Sequence, residues 1–140
     1  MPRYAPGSFE RALIRSSKVT VRGQEAIIAN LHRVSARTKR DLRITTDRYR
    51  REVVRTAKNI CPVRTGRMRG SITGELSPQG YAFEVFYDPA PFIRDGQPYY
   101  PVYVELGTSR MPARPVLRWA YDAHELRYKA EIASVIRRNT

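Results

Sequence analysis

The sequence predicts an α+β fold in which a small, curved antiparallel sheet is backed by a long helix from the first half of the chain and by a C-terminal helix. Three observations support this class. Residues 24–60 contain neither Pro nor Gly and repeat apolar or small residues at every third or fourth position. Residues 81–88 alternate between two sets of side chains, as a strand does, and a second helical repeat follows Pro115.

Length and composition indicate one folded domain. The chain has 140 residues, of which 41% are hydrophobic, with nine Tyr and four Phe, which is enough for a real core. Residues 1–16 contain Pro and Gly and only a short amphipathic piece, so we expect an N-terminal arm and a single domain over 17–140. The sequence shows no membrane-spanning stretch and no secretory signal. We therefore expect folding in a reducing cytoplasm.

The first predicted elements are a short strand and the long helix. Residues 18–22 alternate polar and apolar before Gly23 and favour a strand. The helix runs over 24–60, and Pro62 ends it. A break near Thr45 and Thr46 is an alternative, because adjacent β-branched residues weaken helix propensity. The apolar stripe consists of Ile27, Leu31, Val34, Thr38, Leu42, Thr45, Tyr49, Val53, Ala57 and Ile60.

The second half of the chain predicts a hairpin followed by helical segments. Residues 72–76 and the alternating segment 81–88 flank a turn at Ser77–Gly80 that contains Pro and Gly. Residues 88–98 form a loop, and 99–106 are either a strand or a short helix, since Pro101 disfavours a central strand. Pro115 suits the first turn of a terminal helix. Its stripe consists of Leu117, Tyr121, His124, Tyr128, Ile132 and Val135, with the histidine at the core or its boundary.

Positive charge is concentrated in the first half of the chain. The net charge is +13, and residues 1–70 hold 18 Lys and Arg against 5 Asp and Glu, while residues 71–140 hold 8 of each. Seven cations fall within an arc of roughly 80° opposite the apolar stripe of the long helix, at about 100° per residue. They are Arg33, Arg37, Arg40, Arg48, Arg51, Arg55 and Lys58.

Three interpretations of this basic arc remain open: a solvated face, a contact with acidic neighbouring subunits, and a contact with nucleic-acid phosphates. By spacing, Asp47 pairs with Arg50 and Arg51, and Glu52 pairs with Arg55, but most of the cations lack a local partner.

The residue types that most often form catalytic or metal sites in proteins are few in this sequence and far apart. The single cysteine, Cys61, cannot form an internal disulfide and is best explained as a small buried residue. Two histidines and one cysteine, far apart, argue against a zinc site, and the carboxylates are too dispersed for a metal-dependent hydrolase or nuclease. We expect no catalytic set, no metal and no cofactor.

A first motif, residues 61–72, combines turn formers with fixed cations. Thr65 and Gly66 predict a turn in which Gly66 takes a positive φ, with Arg64, Arg67 and Arg69 projecting from a tight loop. Gly70 lets the backbone approach a neighbour closely. A phosphate-binding loop is the competing interpretation, but the P-loop glycine and lysine spacing is missing and no strand precedes the motif.

A second motif, residues 103–118, has one acid among three arginines. Glu105 stands beside Gly107 and Thr108, where it can accept from a backbone N–H or an arginine fork. General-base chemistry would need a polar partner that the motif does not supply. Residues 111–115 contain two prolines and form a stiff extended link. Stiff, charged loops of this kind suit a lateral contact between identical subunits better than a pocket.

The two segments Pro62-Val-Arg-Thr-Gly-Arg-Met-Arg-Gly-Ser-Ile72 and Tyr103-Val-Glu-Leu-Gly-Thr-Ser-Arg-Met-Pro-Ala-Arg-Pro-Val-Leu-Arg118 resemble the signatures of a family of head–tail junction proteins of long-tailed bacteriophages. These are neck or tail-completion (minor tail) components. The resemblance runs from about Lys18 to Ile136 and favours the helix over the strand for residues 99–106. Residues 1–16, the heavy basic excess and the long 88–98 loop depart from the family.

The resemblance implies a non-enzymatic virion protein that forms a ring joining the head connector to the tail, around the DNA exit channel. Six subunits are favoured and twelve are the alternative. The implied partners are head-side connector or stopper proteins and the tail terminator or tube protein, with non-specific DNA contact and no membrane. The fold and ring-contact residues implied are Pro62, Arg64, Thr65, Gly66, Arg67, Arg69, Ser71, Tyr103, Glu105, Gly107, Thr108, Arg110, Pro112 and Pro115. The alternative function is a small basic DNA-binding protein that uses the basic arc.

Overall fold

The computed structural model describes residues 19–21, 35–63, 66–90, 92 and 100–139. Within them the predicted α+β arrangement is confirmed: an antiparallel sheet packs against a long helix and a C-terminal helix. The expected arm, residues 1–16, lies outside the described residues. The elements are β1 (Val19–Val21), α1 (Ala36–Ile60), α2 (Arg67–Ser71), β2 (Ile72–Leu76), β3 (Phe83–Tyr87), α3 (Pro101–Leu106) and α4 (Val116–Arg138).

Among the described residues the sheet has three strands in the order β1-β3-β2, and both pairings are antiparallel. The predicted hairpin is therefore confirmed, with Ile72 opposite Tyr87 and Leu76 opposite Phe83. β3 lies at the centre and buries Phe83, Val85 and Tyr87 completely, while the residues between them are only half-buried. This alternation turns one face of the sheet towards the helices.

Helix α1 begins at Ala36, so the prediction of one helix starting at residue 24 is wrong. Ser35 is extended (φ −61°, ψ 155°), and its Oγ accepts a hydrogen bond from the Thr38 N–H at 3.3 Å. A serine cap of this kind starts a new helix because its side chain satisfies an otherwise unpaired donor. Residues 22–34 lie outside the described residues. Ile60, placed on the apolar stripe by its spacing, is 43% exposed at the helix end.

The alternative of a break at Thr45 and Thr46 is also wrong, because α1 continues through both residues. Both side chains are buried between α1 and its neighbours. The Thr46 and Tyr128 hydroxyls lie 3.4 Å apart, so the buried Thr46 hydroxyl has a hydrogen-bond partner across the α1–α4 contact.

The core lies where α1 and α4 meet the sheet. The Tyr128 ring centroid is 5.0 Å from that of Tyr49 on α1 and 5.6 Å from that of Phe83 on β3. All three side chains are fully buried, and burying each one stabilises the fold by about 1.5–3 kcal/mol. Tyr128 therefore joins both helices and the sheet in one hydrophobic cluster.

The end of the chain follows the predicted helices. The segment 99–106, left open between strand and helix, forms α3, which Pro101 starts at its first turn. Helix α4 follows Pro115 as expected, and its predicted stripe is buried except for His124, which is half-buried at the core boundary.

Candidate interaction site

Glu105 of α3 is buried, at 4% exposure, and its carboxylate accepts hydrogen bonds from β3 and from α4. Its Oε2 accepts from the Tyr87 hydroxyl of β3 at 2.8 Å. Its Oε1 accepts from the backbone N–H groups of Leu117 and Arg118, the first turn of α4, at 3.0 and 3.3 Å. The predicted backbone acceptance is confirmed, and no arginine side chain donates to this carboxylate in the described part of the chain. Glu105 thus ties α3, β3 and α4 together.

The first turn of α4 explains why a carboxylate belongs there. A helix N-terminus has unpaired N–H groups and a positive partial charge. Pro115, the cap residue, provides no side-chain hydrogen bond, so Glu105 acts in its place from another helix. Burial raises the pKa of the Glu105 carboxyl, while hydrogen bonds from Tyr87 and from the first turn of α4 lower it. These structural donors occupy both carboxylate oxygens.

The loop after Glu105 is tightly folded and carries exposed cations. Gly107 has a φ of 76°, and a Cβ built on it would lie 2.7 Å from the Ala113 nitrogen. The backbone N–H and C=O groups of Thr108 and Met111 bond each other in an isolated antiparallel β-bridge. The Arg114 N–H donates to the Val104 carbonyl at 2.7 Å. Arg110 and Arg114 are exposed on this loop. Of the other predicted motif residues here, Tyr103 and Pro115 are half-buried, and Thr108 and Pro112 are exposed.

The first motif differs from its prediction. Gly66 has the expected positive φ of 77°, whereas Arg64 and Thr65 lie outside the described residues. The predicted tight loop carrying Arg67 and Arg69 is wrong, because residues 67–71 form the short helix α2. The Met68 side chain of α2 is buried in the core. This burial stabilises a helix that would be too short to be stable on its own.

The remaining residues of the first motif show which parts face outward. Arg69 and Pro62 are exposed, and Arg67 is half-buried. Ser71 is buried, and its hydroxyl donates to the Met68 carbonyl at 2.6 Å. The close approach expected at Gly70 is not found among the described residues, since a Cβ built there meets nothing within 4 Å.

The end of β3 brings the two motifs together. The Asp88 N–H donates to the Ser71 carbonyl at 2.7 Å, and the adjacent Tyr87 donates its hydroxyl to Glu105. Tyr87 was missing from the predicted site residues. Its inward position in the alternating strand was visible in the sequence, and a buried tyrosine hydroxyl requires a partner, but the sequence could not name Glu105.

The basic arc of α1 faces away from the core. Arg37, Arg40, Arg48, Arg51 and Arg55 are exposed, Lys58 is half-buried, and Arg33 lies outside the described residues.

Some charges of α1 are paired. The predicted pairs of Asp47 with Arg50 and Arg51 are confirmed, at 2.8 and 3.4 Å, and Arg48 pairs with Glu131 of α4. The predicted pair of Glu52 with Arg55 is wrong, because Glu52 turns towards α4, where its Oε2 lies 3.7 Å from His124 Nδ1.

In the part of the chain that the structure describes, four arc cations therefore have no acidic partner. They are Arg37, Arg40, Arg55 and Lys58.

Two further arginines of α1 contact the hairpin, although Arg43 remains exposed to solvent. Arg43 donates to the Gln79 carbonyl at 2.9 Å and lies over the Tyr81 ring. Arg50 donates to the Gly74 carbonyl at 3.1 Å. These contacts could not be read from the sequence, because helical spacing does not show which loop approaches the flank of a helix.

Cys61 is buried as expected, and burial raises the pKa of its thiol. Among the described residues, no three His, Cys, Asp or Glu side chains are grouped to hold a metal ion. Within the same ranges no helix is long and apolar enough to cross a membrane.

Comparison with protein-family models, curated proteins and solved structures finds no significant match to this chain.

Proposed function

We propose that this protein is a structural subunit of a bacteriophage neck, forming a ring that joins the head connector to the tail around the DNA exit channel. The observation that carries the proposal is the buried Glu105, which fastens the loop of the second motif to α4 and, through Tyr87, to the end of the first motif. Because the backbone of this loop is hydrogen-bonded, Arg110 and Arg114 project from an ordered main chain. Exposed cations on an ordered main chain favour a lateral contact between subunits, since little backbone entropy is lost on binding.

The proposed assembly is a homo-oligomeric ring of six subunits, the symmetry of phage tails, with twelve, the symmetry of connectors, as the alternative. Its neighbours are connector or stopper proteins on the head side and the terminator or tube protein on the tail side. The protein is synthesised in the bacterial cytoplasm and resides in the virion. The proposal involves no catalysis and no cofactor.

Electron microscopy of phage particles carrying a labelled copy of this chain tests the proposal. We expect label at the neck, and ring-shaped assemblies when the purified protein is mixed with connector proteins. Arg110→Glu should abolish ring formation without unfolding the subunit. Arg138→Glu makes the same charge change at an exposed position far along α4 and should leave the rings intact. Absence of the chain from purified virions would exclude a neck function.

A second candidate function, DNA binding, is favoured by the arc cations without acidic partners. Phosphate contacts make affinity fall steeply with salt, with a log–log slope of about −0.9 per phosphate neutralised on duplex DNA. Replacing Arg37, Arg40 and Arg55 by Ser should reduce that slope by about three if the arc binds the backbone. Nanomolar binding of the monomer to duplex DNA at physiological salt would favour this candidate over the ring.

A further inference from the structure

Helix α4 has a second apolar stripe on its outward face. Trp119 is 50% exposed and Leu126 is 84% exposed, the highest value among the large hydrophobic side chains of the described residues. Between and after them lie three exposed alanines, Ala123, Ala130 and Ala133. The spacings along this stripe are four, three, four and three residues, which match the spacing of the a and d positions in a two-stranded coiled coil. The opposite stripe of α4 is buried in the core, so the helix is apolar on two faces, and the residues that the structure describes cover only one of them.

Side-chain size favours a second copy of the same helix, running antiparallel, as the occupant. With Leu126 at the two-fold axis, Trp119 faces Ala133 of the second copy, and Ala123 faces Ala130 of the second copy. A large side chain then meets a small one at both ends of the seam, and the two Leu126 side chains meet at its centre. A parallel pair would instead stack the two Trp119 side chains on each other, and a helix separation wide enough for two indoles would leave gaps at the alanine layers.

On one flank of the stripe the charges are self-complementary in the same arrangement, whereas on the other flank Arg127 lies beside Arg127 of the second copy near the two-fold axis. Asp122 and Lys129 lie one heptad apart on the same flank. In the antiparallel pair each Asp122 meets Lys129 of the second copy, twice by symmetry. Asp122 has no ion-pair partner in the described ranges. Lys129 bonds Glu125 within the helix at 2.7 Å, but an exposed pair of this kind contributes only about 0–1 kcal/mol and does not hold Lys129 in place.

We propose that two copies of this protein associate through the outer stripe of α4, antiparallel, with Leu126 at the two-fold axis. The contact uses neither the motif loops nor the basic arc and does not rest on the neck assignment. A two-fold contact relates subunits that point in opposite directions, so it cannot close a ring of one polarity. It is an association of the free protein.

Sedimentation equilibrium of the full chain tests the pairing. We expect a reversible monomer–dimer equilibrium in the micromolar range, and a dimer dissociation constant at least tenfold higher for Leu126→Glu. Val63→Glu makes the same kind of change at a residue that is 61% exposed but off this stripe, and it should leave the constant unchanged. The chain has one tryptophan, Trp119, so its emission should shift to the blue on dimerisation and stay unshifted in Leu126→Glu.

Charge reversal tests the antiparallel register. Asp122→Lys and Lys129→Asp should each weaken the dimer several-fold, because each creates two like-charge contacts. The double variant restores both contacts and should return to within about twofold of the original dissociation constant. A monomer at every concentration, or a double variant weaker than both single variants, would overturn the proposal. It would also be overturned if Trp119 in the dilute monomer were already protected from iodide quenching, because the chain itself would then cover the stripe.

Discussion

Glu105 caps the N-terminus of α4, because Pro115 has no side chain that can do so. Substituting Glu105 should therefore lower the free energy of unfolding, and the loss should be larger when more of its hydrogen-bond donors are left without an acceptor. Glu105→Gln keeps the size and one acceptor oxygen but puts an NH2 donor in place of the other, so a donor now faces Tyr87 or the first turn of α4, and we expect a loss of about 1–3 kcal/mol. Glu105→Ala should cost more, about 3–5 kcal/mol, because a cavity is added. Urea unfolding measures both, with the exposed Glu75→Gln as a neutral control. Equal losses for Gln and Ala would contradict the capping explanation.

Glu105 should also make stability depend on pH. Burial raises the pKa of its carboxyl in the folded state, so the folded protein retains that proton at pH values where the unfolded chain has released it. Its contribution is fully present below the unfolded pKa of about 4.3 and declines as pH rises through the folded pKa. The difference in unfolding free energy between the original protein and Glu105→Gln should therefore shrink as pH rises from about 4. A difference that grows with pH would show that the hydrogen bonds outweigh burial.

Gly107 is required by geometry, whereas Gly70 is not. A Cβ at Gly107 would lie 2.7 Å from a backbone nitrogen, at a φ that side chains rarely adopt. We expect Gly107→Ala to destabilise the fold by about 1–3 kcal/mol. Gly70→Ala, where the space is open within a helix, should be neutral or stabilising by up to about 1 kcal/mol. Thermal unfolding of the two variants side by side checks the contrast.

At the scale of elements, the arginines of α1 divide into those that hold the hairpin and those that face solvent. Arg50 donates to Gly74 and pairs with Asp47, so Arg50→Ala should cost about 1–2 kcal/mol. Arg55→Ala should change stability by no more than about 0.5 kcal/mol, because the side chain is exposed and has no acidic partner in the described ranges. Denaturant unfolding midpoints of the two variants, each measured at two salt concentrations, test this difference. A loss at Arg55 equal to that at Arg50 would mean that the arc stabilises the fold.

The elements that could be predicted are those with long periodic signals. The alternation of β3 and the three-and-four spacing of α1 and α4 follow from burying one face, so their positions were visible in the sequence. The start of α1 was missed because a serine inside a run without Pro or Gly is a weak signal. Helix α2 was missed because five residues rich in turn formers become helical only through the burial of Met68.

The candidate site was predictable in its residue types but not in its partners. Glu105 stood out as the one acid among arginines, and backbone acceptance was one of two expectations. Which backbone it reaches depends on how α3 and α4 meet, and that is set by contacts distant in sequence. The same limit applies to Glu52, whose Oε2 lies 3.7 Å from His124 Nδ1 across the α1–α4 contact instead of next to Arg55 one turn along its own helix.

For the molecule as a whole, one core supports several outward surfaces with different chemistry. The basic arc belongs to α1, the exposed arginines of the second motif belong to the loop before α4, and the outer apolar stripe belongs to α4. None of these side chains is needed to fill the core. Contacts with different partners can therefore be altered one at a time by surface substitutions without loss of the fold.

The strand order β1-β3-β2 has a practical consequence for shortening the chain. β1 covers one edge of the central strand with three residues, Val19–Val21, each paired to β3. A version that begins after residue 21 would expose the unpaired N–H and C=O groups of β3, and such an open edge invites strands from other chains and aggregation. Any truncation meant to yield a soluble domain should therefore begin before Val19.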